Sequence, residues 1–447
     1  MAAVVVVSSA MAAVVAVVAA AVVGAAAGSG SSPPQAAATS AIASSAAIHT
    51  RDLIMFPSLL ASAFRYRRVV PCTDRPPGPD IRSNHSEGSQ RRHMLVRDRQ
   101  AGSPCLYNPA TGRAFARVRH RPISTGGSTM TVVDAVCPLM TDPESWDLYI
   151  EGGVDIGAPT VANLETPAET QQLLEQWARW IDRDDRLVGV TEPSHFDRFP
   201  DPGKLGVIIH FQNGVPLGED LSNYEAFHRL GLRMVQLCYN FANPLGDGCL
   251  SREDGPLTAF GREAIREMNR LGIVVDLSHT GRRTTMHAMR ATSAPPVFSH
   301  SNPAAINPHR RNIDDEQIRA VADLGGLVGV VTFPAFVKPG GKGATVSDLV
   351  DHIDYLVDMI GPDQVGLGLD FCESGMEMVE RMIASGAWTV EDYPMGADPR
   401  LIDLDSPTKI PGIREEMVRR GYPSGAIAGI MGQNWIDLFK RVWSASR

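Results

Sequence analysis

Two histidines, His279 and His300, stand at the ends of consecutive strand-like segments. The first segment reads Ile-Val-Val-Asp-Leu-Ser-His from Ile273, and the second reads Pro-Val-Phe-Ser-His from Pro296. The stretch between them, residues 281–293, has the length of one helix with short loops. Because parallel strands joined by a helix end side by side, both imidazoles are predicted to face one pocket. Such a pair suits either a metal ion or acid–base catalysis.

The segments around these histidines alternate between strand and helix patterns. Residues 258–271 place apolar side chains on one helical face and are followed by Gly272, a favoured residue just past a helix end. The same reading predicts helices over residues 221–230, 314–324 and 346–360, and strands over residues 206–211, 234–237, 327–331 and 365–369. Strands that are apolar throughout are buried on both faces, as in a parallel sheet. The pattern therefore predicts an α/β fold, a (β/α)8 TIM-like barrel, rather than an open doubly wound sheet.

Polar side chains that can do chemistry follow the predicted strands. They are His210, Gln212, Tyr239, Asn240, His279, His300 and Asp370. His210 and Gln212 share a strand face by period-2 alternation, so His210 is either a further metal ligand or a hydrogen-bonded residue inside the barrel. His228, His287, His309 and His352 lie on predicted helices or loops and are expected on the surface. No Gly-x-Gly-x-x-Gly or phosphate-binding loop is present, which argues against a nucleotide enzyme.

Composition divides the chain at Met130. Residues 1–50 are almost wholly Ala, Val, Ser and Gly without charge, whereas residues 51–122 have 14 Arg against five acidic residues, a net charge of +9. Since the whole chain carries −8, residues 123–447 carry −17, which argues against nucleic acid as a partner. Residues 1–129 are predicted to be a disordered, low-complexity extension, either a mis-assigned start, a targeting segment or a genuine tail. Residues 130–447 form the predicted barrel.

The compartment and assembly are only weakly indicated by the sequence. Six cysteines without close pairing make no disulfide framework, so a reducing cytoplasm is the default. Residues 1–28 leave export or membrane anchoring open, although they lack a basic segment and are Ala- and Val-rich. Membrane association is therefore not the leading expectation, and a homodimer is left open.

Several strings, taken as a set, resemble the membrane (renal) dipeptidase family of zinc peptidases, which have amidohydrolase-type barrels. The resemblance runs in order from about Met130 to Trp443 and excludes residues 1–129. The strings are Gly255-Pro-Leu-Thr-Ala-Phe-Gly-Arg262, Met268 to His279, Ser299-His-Ser-Asn302, Arg311 to Gln317, Gly366-Leu-Gly-Leu-Asp370, Arg420-Gly-Tyr422 and Gly432-Gln-Asn434.

The resemblance implies a binuclear metal site of which this chain keeps half. Family histidines that hold one metal match His279 and His300. The family's His-x-Asp pair, which holds the other metal, falls on Val136 and Pro138, and its bridging glutamate falls on Gln212. One zinc ion is therefore expected, bound by His279 and His300 with Gln212 or His210 completing its shell, and the second site is expected to be lost.

The resemblance also implies roles for the remaining strand-end residues. Arg311 matches the arginine that grips the substrate carboxylate, and Asp370 matches the aspartate that handles protons. Tyr239 replaces a substrate-contacting histidine, with Asn240 beside it. The predicted function is a metal-dependent hydrolase of dipeptides or similar small amides. The alternatives are a barrel lyase or isomerase acting on an amino-acid-like metabolite, and a non-catalytic pseudoenzyme.

Overall fold

The computed structural model describes residues 130–372, 376–393 and 400–445, with the side chains of residues 376 and 377 excepted. Before residue 130 it describes only two antiparallel pairs of short strands, Val96–Arg97 with Pro104–Cys105 and Tyr107–Asn108 with Arg113–Ala114. The chain divides into two units at His120 and Arg121. The predictions of a disordered extension over residues 1–129 and of a targeting segment over residues 1–28 otherwise lie outside the described residues.

The second unit contains eleven described parallel strands. They form a four-stranded sheet in the order β1-β2-β5-β4 and a seven-stranded sheet in the order β11-β10-β9-β8-β7-β6-β3. Their bounds are β1 Val133–Asp134, β2 Ile156–Gly157, β3 Thr160–Ala162, β4 Leu187–Gly189, β5 Leu205–Val207, β6 Ile209–Phe211, β7 Leu232–Gln236, β8 Val274–Asp276, β9 Val297–Phe298, β10 Leu327–Val330 and β11 Val365–Leu367.

The two sheets form one closed ring. β2 runs into β3 after two residues, and β5 runs into β6 across the single residue Ile208. β1 closes the ring against β11, since the Ala135 N–H donates to the Leu367 carbonyl at 3.1 Å and the Asp370 N–H donates to the Val136 carbonyl at 2.9 Å. If β2 with β3 and β5 with β6 each count as one strand, the ring has eight strands. β4 pairs with β5 outside the ring. The predicted (β/α)8 barrel is confirmed.

The helices between the strands follow the predicted pattern with small differences at their ends. The helix predicted over residues 346–360 has those bounds, and it begins with a capping box between Thr345 and Asp348. The described helices are Trp146–Glu151, Pro167–Arg183, Ser222–Arg229, Ala259–Leu271, Arg282–Ala291, Asp315–Asp323, Pro334–Val337, Val346–Ile360, Met376–Ala384, Pro411–Arg419, Ser424–Ala428 and Asn434–Ala445. One surface prediction is wrong: His352 is fully buried, because its Nε2 hydrogen-bonds the Val337 carbonyl at 2.7 Å.

The amino-terminal end of the ring is filled by apolar packing. Side chains that begin the strands, such as Val133, Val274 and Leu327, share a core with the helix Asn434–Ala445. Trp435 from that helix is fully buried and donates its indole N–H to the Leu367 carbonyl at 2.9 Å. In barrels of this kind the site forms at the opposite end, where the strands have their carboxyl ends.

Among the described residues, no helix is both long and apolar enough to cross a membrane.

Candidate active site at the carboxyl ends of the strands

Three residues near strand ends have unusual backbone geometry. Asn240, His279 and Asp370 have φ of 58°, 58° and 57°, and among the described residues they are the non-glycine positions with positive φ. Each lies within four residues of the end of β7, β8 or β11. Left-handed backbone is disfavoured for residues with a Cβ and persists where the surrounding structure enforces it. The barrel therefore holds these three side chains in specific directions.

His279 and His300 face each other at the centre of this end. Their Nε2 atoms are 2.9 Å apart, and both side chains are almost fully buried. Glycines permit this close arrangement, because a Cβ on Gly329 or Gly368 would lie 2.0 or 1.9 Å from the Ser299 carbonyl oxygen. The structure thus brings together the two histidines, as the strand-end pattern predicts.

The opposite nitrogen of each ring is held by a neighbouring polar group. His279 Nδ1 lies 2.7 Å from Asn240 Oδ1, and His300 Nδ1 lies 2.6 Å from Ser299 Oγ. The amide of Asn240 is oriented by its Nδ2, which donates to the Ala387 carbonyl at 2.9 Å, so its oxygen faces the imidazole. Ser299 donates its single hydroxyl proton to Asp276 Oδ2 at 2.5 Å, so Ser299 Oγ accepts from His300.

These partners determine which nitrogen of each ring carries the proton. Since Asn240 Oδ1 and Ser299 Oγ both act as acceptors, Nδ1 is protonated in both histidines and both Nε2 atoms carry lone pairs. Burial, reinforced by the positive charge of Arg311, lowers the pKa of both His279 and His300 well below 6.5. Both rings are therefore neutral, with two lone pairs directed at each other across 2.9 Å.

The carboxylate behind His300 is strongly ionised. Burial by itself would raise the pKa of Asp276, but the neighbouring imidazoles of His210 and His300 and the hydrogen bond from the Ser299 hydroxyl outweigh it and lower the pKa to about 2. Asp276 Oδ1 also accepts the backbone N–H groups of Ser278 and Ser299. An outer partner of this kind orients a metal-binding imidazole and raises its basicity.

The two facing imidazoles offer two nitrogen donors to a metal ion. Facing lone pairs on neutral imidazoles repel each other unless a cation lies between them, and nitrogen ligands of this kind suit zinc. Within residues 130–372, 376–393 and 400–445, however, no group of three or more His, Cys, Asp and Glu side chains is arranged to hold a metal. Val136 and Pro138, which follow β1 and match the family's ligands for a second ion, lack donor side chains.

The carboxylate of Asp134 in β1 accepts hydrogen bonds from backbone N–H groups. Asp134 is fully buried, and its Oδ1 accepts the Leu369 N–H at 2.8 Å and the Val136 N–H at 3.3 Å. These bonds join β1 to the segment that follows β11 and so help to close the ring. Burial raises the pKa of Asp134 to about 7, although both backbone bonds oppose the shift.

Gln212 and Asp370 meet on the other side of the histidine pair. Gln212 Nε2 donates to Asp370 Oδ1 at 3.2 Å, which leaves the amide oxygen of Gln212 for other partners. Burial raises the pKa of Asp370 to about 7, while the charge of Arg311 and the Gln212 hydrogen bond oppose the rise. A carboxyl group with such a pKa can both donate and accept a proton near neutrality.

Arg311 is a buried guanidinium with unused hydrogen-bonding capacity. It is 2% exposed, and its Nη2 donates to the His300 carbonyl at 3.1 Å. Its Nε and Nη1 are buried without a hydrogen-bond partner, and the group lies 5.2 Å from the centre of the Phe336 ring. A buried cation without a counter-charge is costly, so the site favours an anionic ligand such as a carboxylate.

His210 contacts the ionised Asp276. Its Nε2 lies 3.5 Å from Asp276 Oδ2, and both of its ring nitrogens lack closer hydrogen-bond partners. It is fully buried. His210 and Gln212 lie two residues apart but contact different groups, because β6 ends at Phe211. The contact with Asp276 favours the interpretation of His210 as an interior residue, and its role as a ligand stays a prediction.

Tyr239 packs on the histidine pair and borders a large cavity. Its ring stacks on His279 with centroids 4.4 Å apart, and its hydroxyl accepts the Trp388 indole N–H at 2.8 Å. The cavity measures about 560 Å³ and its walls include Gln212, Tyr239 and Asp370. This volume lies within the usual range for small-molecule sites.

Sequence reasoning did not single out Asp276, Ser299 or Trp388. Asp276 and Ser299 stand within the Asp-x-Ser-His and Ser-His strings, where a search for partners of the two histidines could have found them. Trp388 lies 149 residues from Tyr239 and had no local signal.

Comparison with known proteins is consistent with this geometry. A model of the membrane dipeptidase family (peptidase family M19) matches residues 146–385, a stretch that begins after β1. A dipeptidase of Aspergillus oryzae is 28% identical over 308 residues, which cover 68% of this chain and 67% of that protein. An uncharacterized dipeptidase of Schizosaccharomyces pombe is 36% identical over 249 residues, which cover 54% of each chain. The chain thus spans between about half and two thirds of these relatives.

Solved structures share the barrel. An amidohydrolase from Pseudomonas aeruginosa superposes with a TM-score of 0.65 and 29% identity over 70% of this chain and 97% of that chain. A metallo peptidase from Rhodobacter sphaeroides, solved with a phosphinate mimic of the dipeptide L-Ala-D-Ala, has a TM-score of 0.60 and 22% identity, over 71% of this chain and all of that one. The second likeness concerns the fold alone. The chain belongs to the membrane dipeptidase family.

Proposed function

We propose that this protein is a metal-dependent hydrolase of dipeptides or similar small amides that works with a single zinc ion. The observation that carries the proposal is the pair of neutral imidazoles whose Nε2 atoms face each other at 2.9 Å. Membership of the dipeptidase family and the relatives described as dipeptidases support the choice of substrate. The charge of −17 on residues 123–447 argues against nucleic acid as a partner.

His279 and His300 would hold the ion, and the amide oxygen of Gln212 or, less directly, His210 would complete its shell. When bound, the ion supplies Lewis-acid polarisation of the scissile carbonyl and activation of water. Asn240 and the Ser299–Asp276 pair keep the two imidazoles oriented. None of these positioning groups needs to move during the reaction, which is the advantage of a preorganised site.

Arg311 and Asp370 would act on the substrate directly. Nε or Nη1 of Arg311, neither of which has a hydrogen-bond partner, would donate to the terminal carboxylate. Asp370 Oδ1 is held by Gln212, so Oδ2 is the oxygen that passes a proton to the leaving amine nitrogen. Tyr239 limits the space beside His279 and contacts the substrate.

Metal content and turnover test the proposal together. Purified protein supplied with zinc is expected to bind about one ion per chain and to release free amino acids from simple dipeptides such as Ala-Ala. Protein that binds dipeptides without cleaving them would instead indicate a pseudoenzyme. Conversion of an amino-acid-like substrate without hydrolysis would indicate a lyase or isomerase.

A further inference from the structure

The cavity beside the histidine pair has apolar lining residues that the proposed reaction does not use. Its lining includes Trp177 and Trp180 from the helix Pro167–Arg183, Met378 and Met382 from the helix Met376–Ala384, and Trp388. We call these five side chains the tryptophan pocket. Because Gln212, Tyr239 and Asp370 line the same cavity, a ligand bound at the reactive residues extends toward this pocket.

We propose that the tryptophan pocket binds the side chain of the amino-terminal residue of the substrate and selects large apolar or aromatic side chains there. The inference rests on the proposed function and specifies its substrate class. Aromatic rings and methionine sulfur atoms provide a polarisable apolar surface, which favours apolar side chains and tolerates different shapes.

The walls of the pocket are held by their own packing. Trp177 and Trp180 meet edge to face with centroids 5.1 Å apart, and Trp180 packs edge to face on Trp146 at 5.6 Å. Trp388 stacks on Tyr393 at 4.1 Å, and its indole N–H is satisfied by the Tyr239 hydroxyl. The indole N–H of Trp388 thus already has a protein partner, so an apolar group that packs beside it incurs little desolvation cost there.

Tyr239 connects the pocket to the reactive centre. Its ring stacks on His279 at 4.4 Å, while its hydroxyl is bonded to Trp388. The apolar wall and the proposed metal ligand are therefore joined through one side chain. A substrate side chain that packs against this wall would be placed at a defined distance from the histidine pair.

Charge in the cavity also discriminates between side chains. Among the described residues, the charged side chains that line it are Asp142, Glu165, Asp370 and Arg381. An acidic substrate side chain would meet more carboxyl groups than guanidinium groups there, so glutamate and aspartate are the least favoured residues at this position.

Arg311 decides which substrate residue occupies the pocket. Arg311 is not among the residues that line this cavity; it lines a second one together with His279. If Arg311 binds the free carboxylate, the carboxyl-terminal residue lies toward Arg311, and the amino-terminal residue is left for the tryptophan pocket. This argument makes the prediction specific to one end of a dipeptide.

The test compares two series of dipeptides with the full-length zinc-loaded protein. In the series X-Ala, with X = Phe, Leu, Ala or Glu, we expect kcat/KM for Phe and Leu to exceed that for Ala by roughly 10- to 100-fold, as for burial of a large apolar side chain. Glu-Ala is expected to be the poorest. Equal kcat/KM across X-Ala, or a larger spread in the Ala-X series, would overturn the assignment.

A charge reversal in the pocket provides the matched variant. In Met382→Lys, Glu-Ala should improve relative to Phe-Ala by about tenfold or more, because a cation then faces the acidic side chain. Val418→Lys, at an exposed position of the helix Pro411–Arg419 outside the cavity, is the control and should leave the order unchanged. An unchanged order in a folded Met382→Lys protein contradicts the proposal.

Binding measurements separate failure of this inference from failure of the proposed function. If no dipeptide is cleaved, the same X-Ala series is titrated by calorimetry. If Phe-Ala and Leu-Ala bind more tightly than Ala-Ala, and Ala-Ala more tightly than Glu-Ala, the pocket assignment is supported although the hydrolase proposal is wrong. Equal binding across the series would reject the pocket as well.

Discussion

The two halves of the site are built in different ways. After β8 and β9, His279 and His300 each have a polar partner at Nδ1, and their Nε2 atoms face each other at 2.9 Å. After β1, the positions that match the family's ligands for a second ion are Val136 and Pro138, which lack donor side chains, and the nearby Asp134 bonds backbone N–H groups. The proposed metal half and a structural half thus share one barrel end. Loss of ligands in one half need not disturb the other, since each half has its own hydrogen bonds.

The largest expected effect is on the metal half. The double substitution His279→Ala and His300→Ala should lower zinc content from about one ion per chain to nearly none and reduce dipeptide turnover by several orders of magnitude. Elemental analysis and an amino-acid release assay measure both. His287→Ala removes a histidine on the helix Arg282–Ala291 and serves as the control. Full zinc content in the double variant would place the ion elsewhere.

A smaller effect is expected when only the outer support of His300 is removed. Ser299→Ala deletes the hydroxyl that joins Asp276 to His300, so the imidazole is no longer restricted to one tautomer. Zinc affinity should fall by about 10- to 100-fold, the usual cost of losing such a partner. Competition with a chelator measures it. Ser301→Ala, whose hydroxyl makes only a 3.5 Å contact with Ser278, should change affinity little. Equal affinity in both variants would refute the positioning role.

The structural half is tested by the pH dependence of stability. Burial raises the pKa of Asp134 to about 7 from the usual 3.8. Between these values the unfolded chain releases the proton while the folded chain keeps it, so rising pH lowers the free energy of unfolding of the native protein. Above pH 7 both states are ionised and the penalty stays constant. Below pH 3.8 both are protonated and the penalty disappears.

In Asp134→Asn the penalty for ionising a buried carboxyl group is absent, while the side-chain oxygen can still accept the Leu369 N–H. From pH 5 to pH 7 the free energy of unfolding of the variant should therefore rise relative to the native protein by roughly 2 kcal/mol. Denaturant titrations at the two pH values measure the difference. Asp323→Asn on an exposed helix position is the control. A difference that does not vary with pH would mean that Asp134 is ionised throughout this range in the folded protein.

One substitution in the metal half should have almost no effect on metal count. Gln212→Glu restores a carboxylate at the bridging position, yet Val136 and Pro138 still offer no donor atoms to a second ion. Zinc content is expected to stay at about one ion per chain. Two tightly bound ions in this single variant would show that a second ion does not need ligands at positions 136 and 138.

The smallest effect is expected from removing residues 1–129. All described strands and helices of the barrel begin after residue 130, so the free energy of unfolding should change by less than about 0.5 kcal/mol. Deletion of residues 1–145 also removes β1 and the ring-closing bond from Ala135 to Leu367, and serves as the contrasting variant. If the protein without residues 1–129 is insoluble, the folded domain must begin before residue 130.

Local patterns predicted most of the fold. The helix predicted over residues 346–360 has the observed bounds, because its apolar stripe ends where Gly361 follows. Strand ends were less accurate: residues 365–369 were predicted as one strand, whereas β11 ends at Leu367. The burial of His352 was also missed, since a helix pattern does not reveal which neighbouring segment will cover a given face.

The sequence by itself determined the succession of strands and helices and the presence of His279 and His300 at two neighbouring strand ends, because periodicity and motif spacing are local properties. Only the tertiary structure decided the protonated nitrogen of each imidazole, the pairing of Gln212 with Asp370, and the bond between Tyr239 and Trp388. Those features depend on contacts across as many as 158 residues, which exist only after the ring closes. When the ring of strands closes, the polar side chains at the strand ends become hydrogen-bond donors and acceptors with fixed directions.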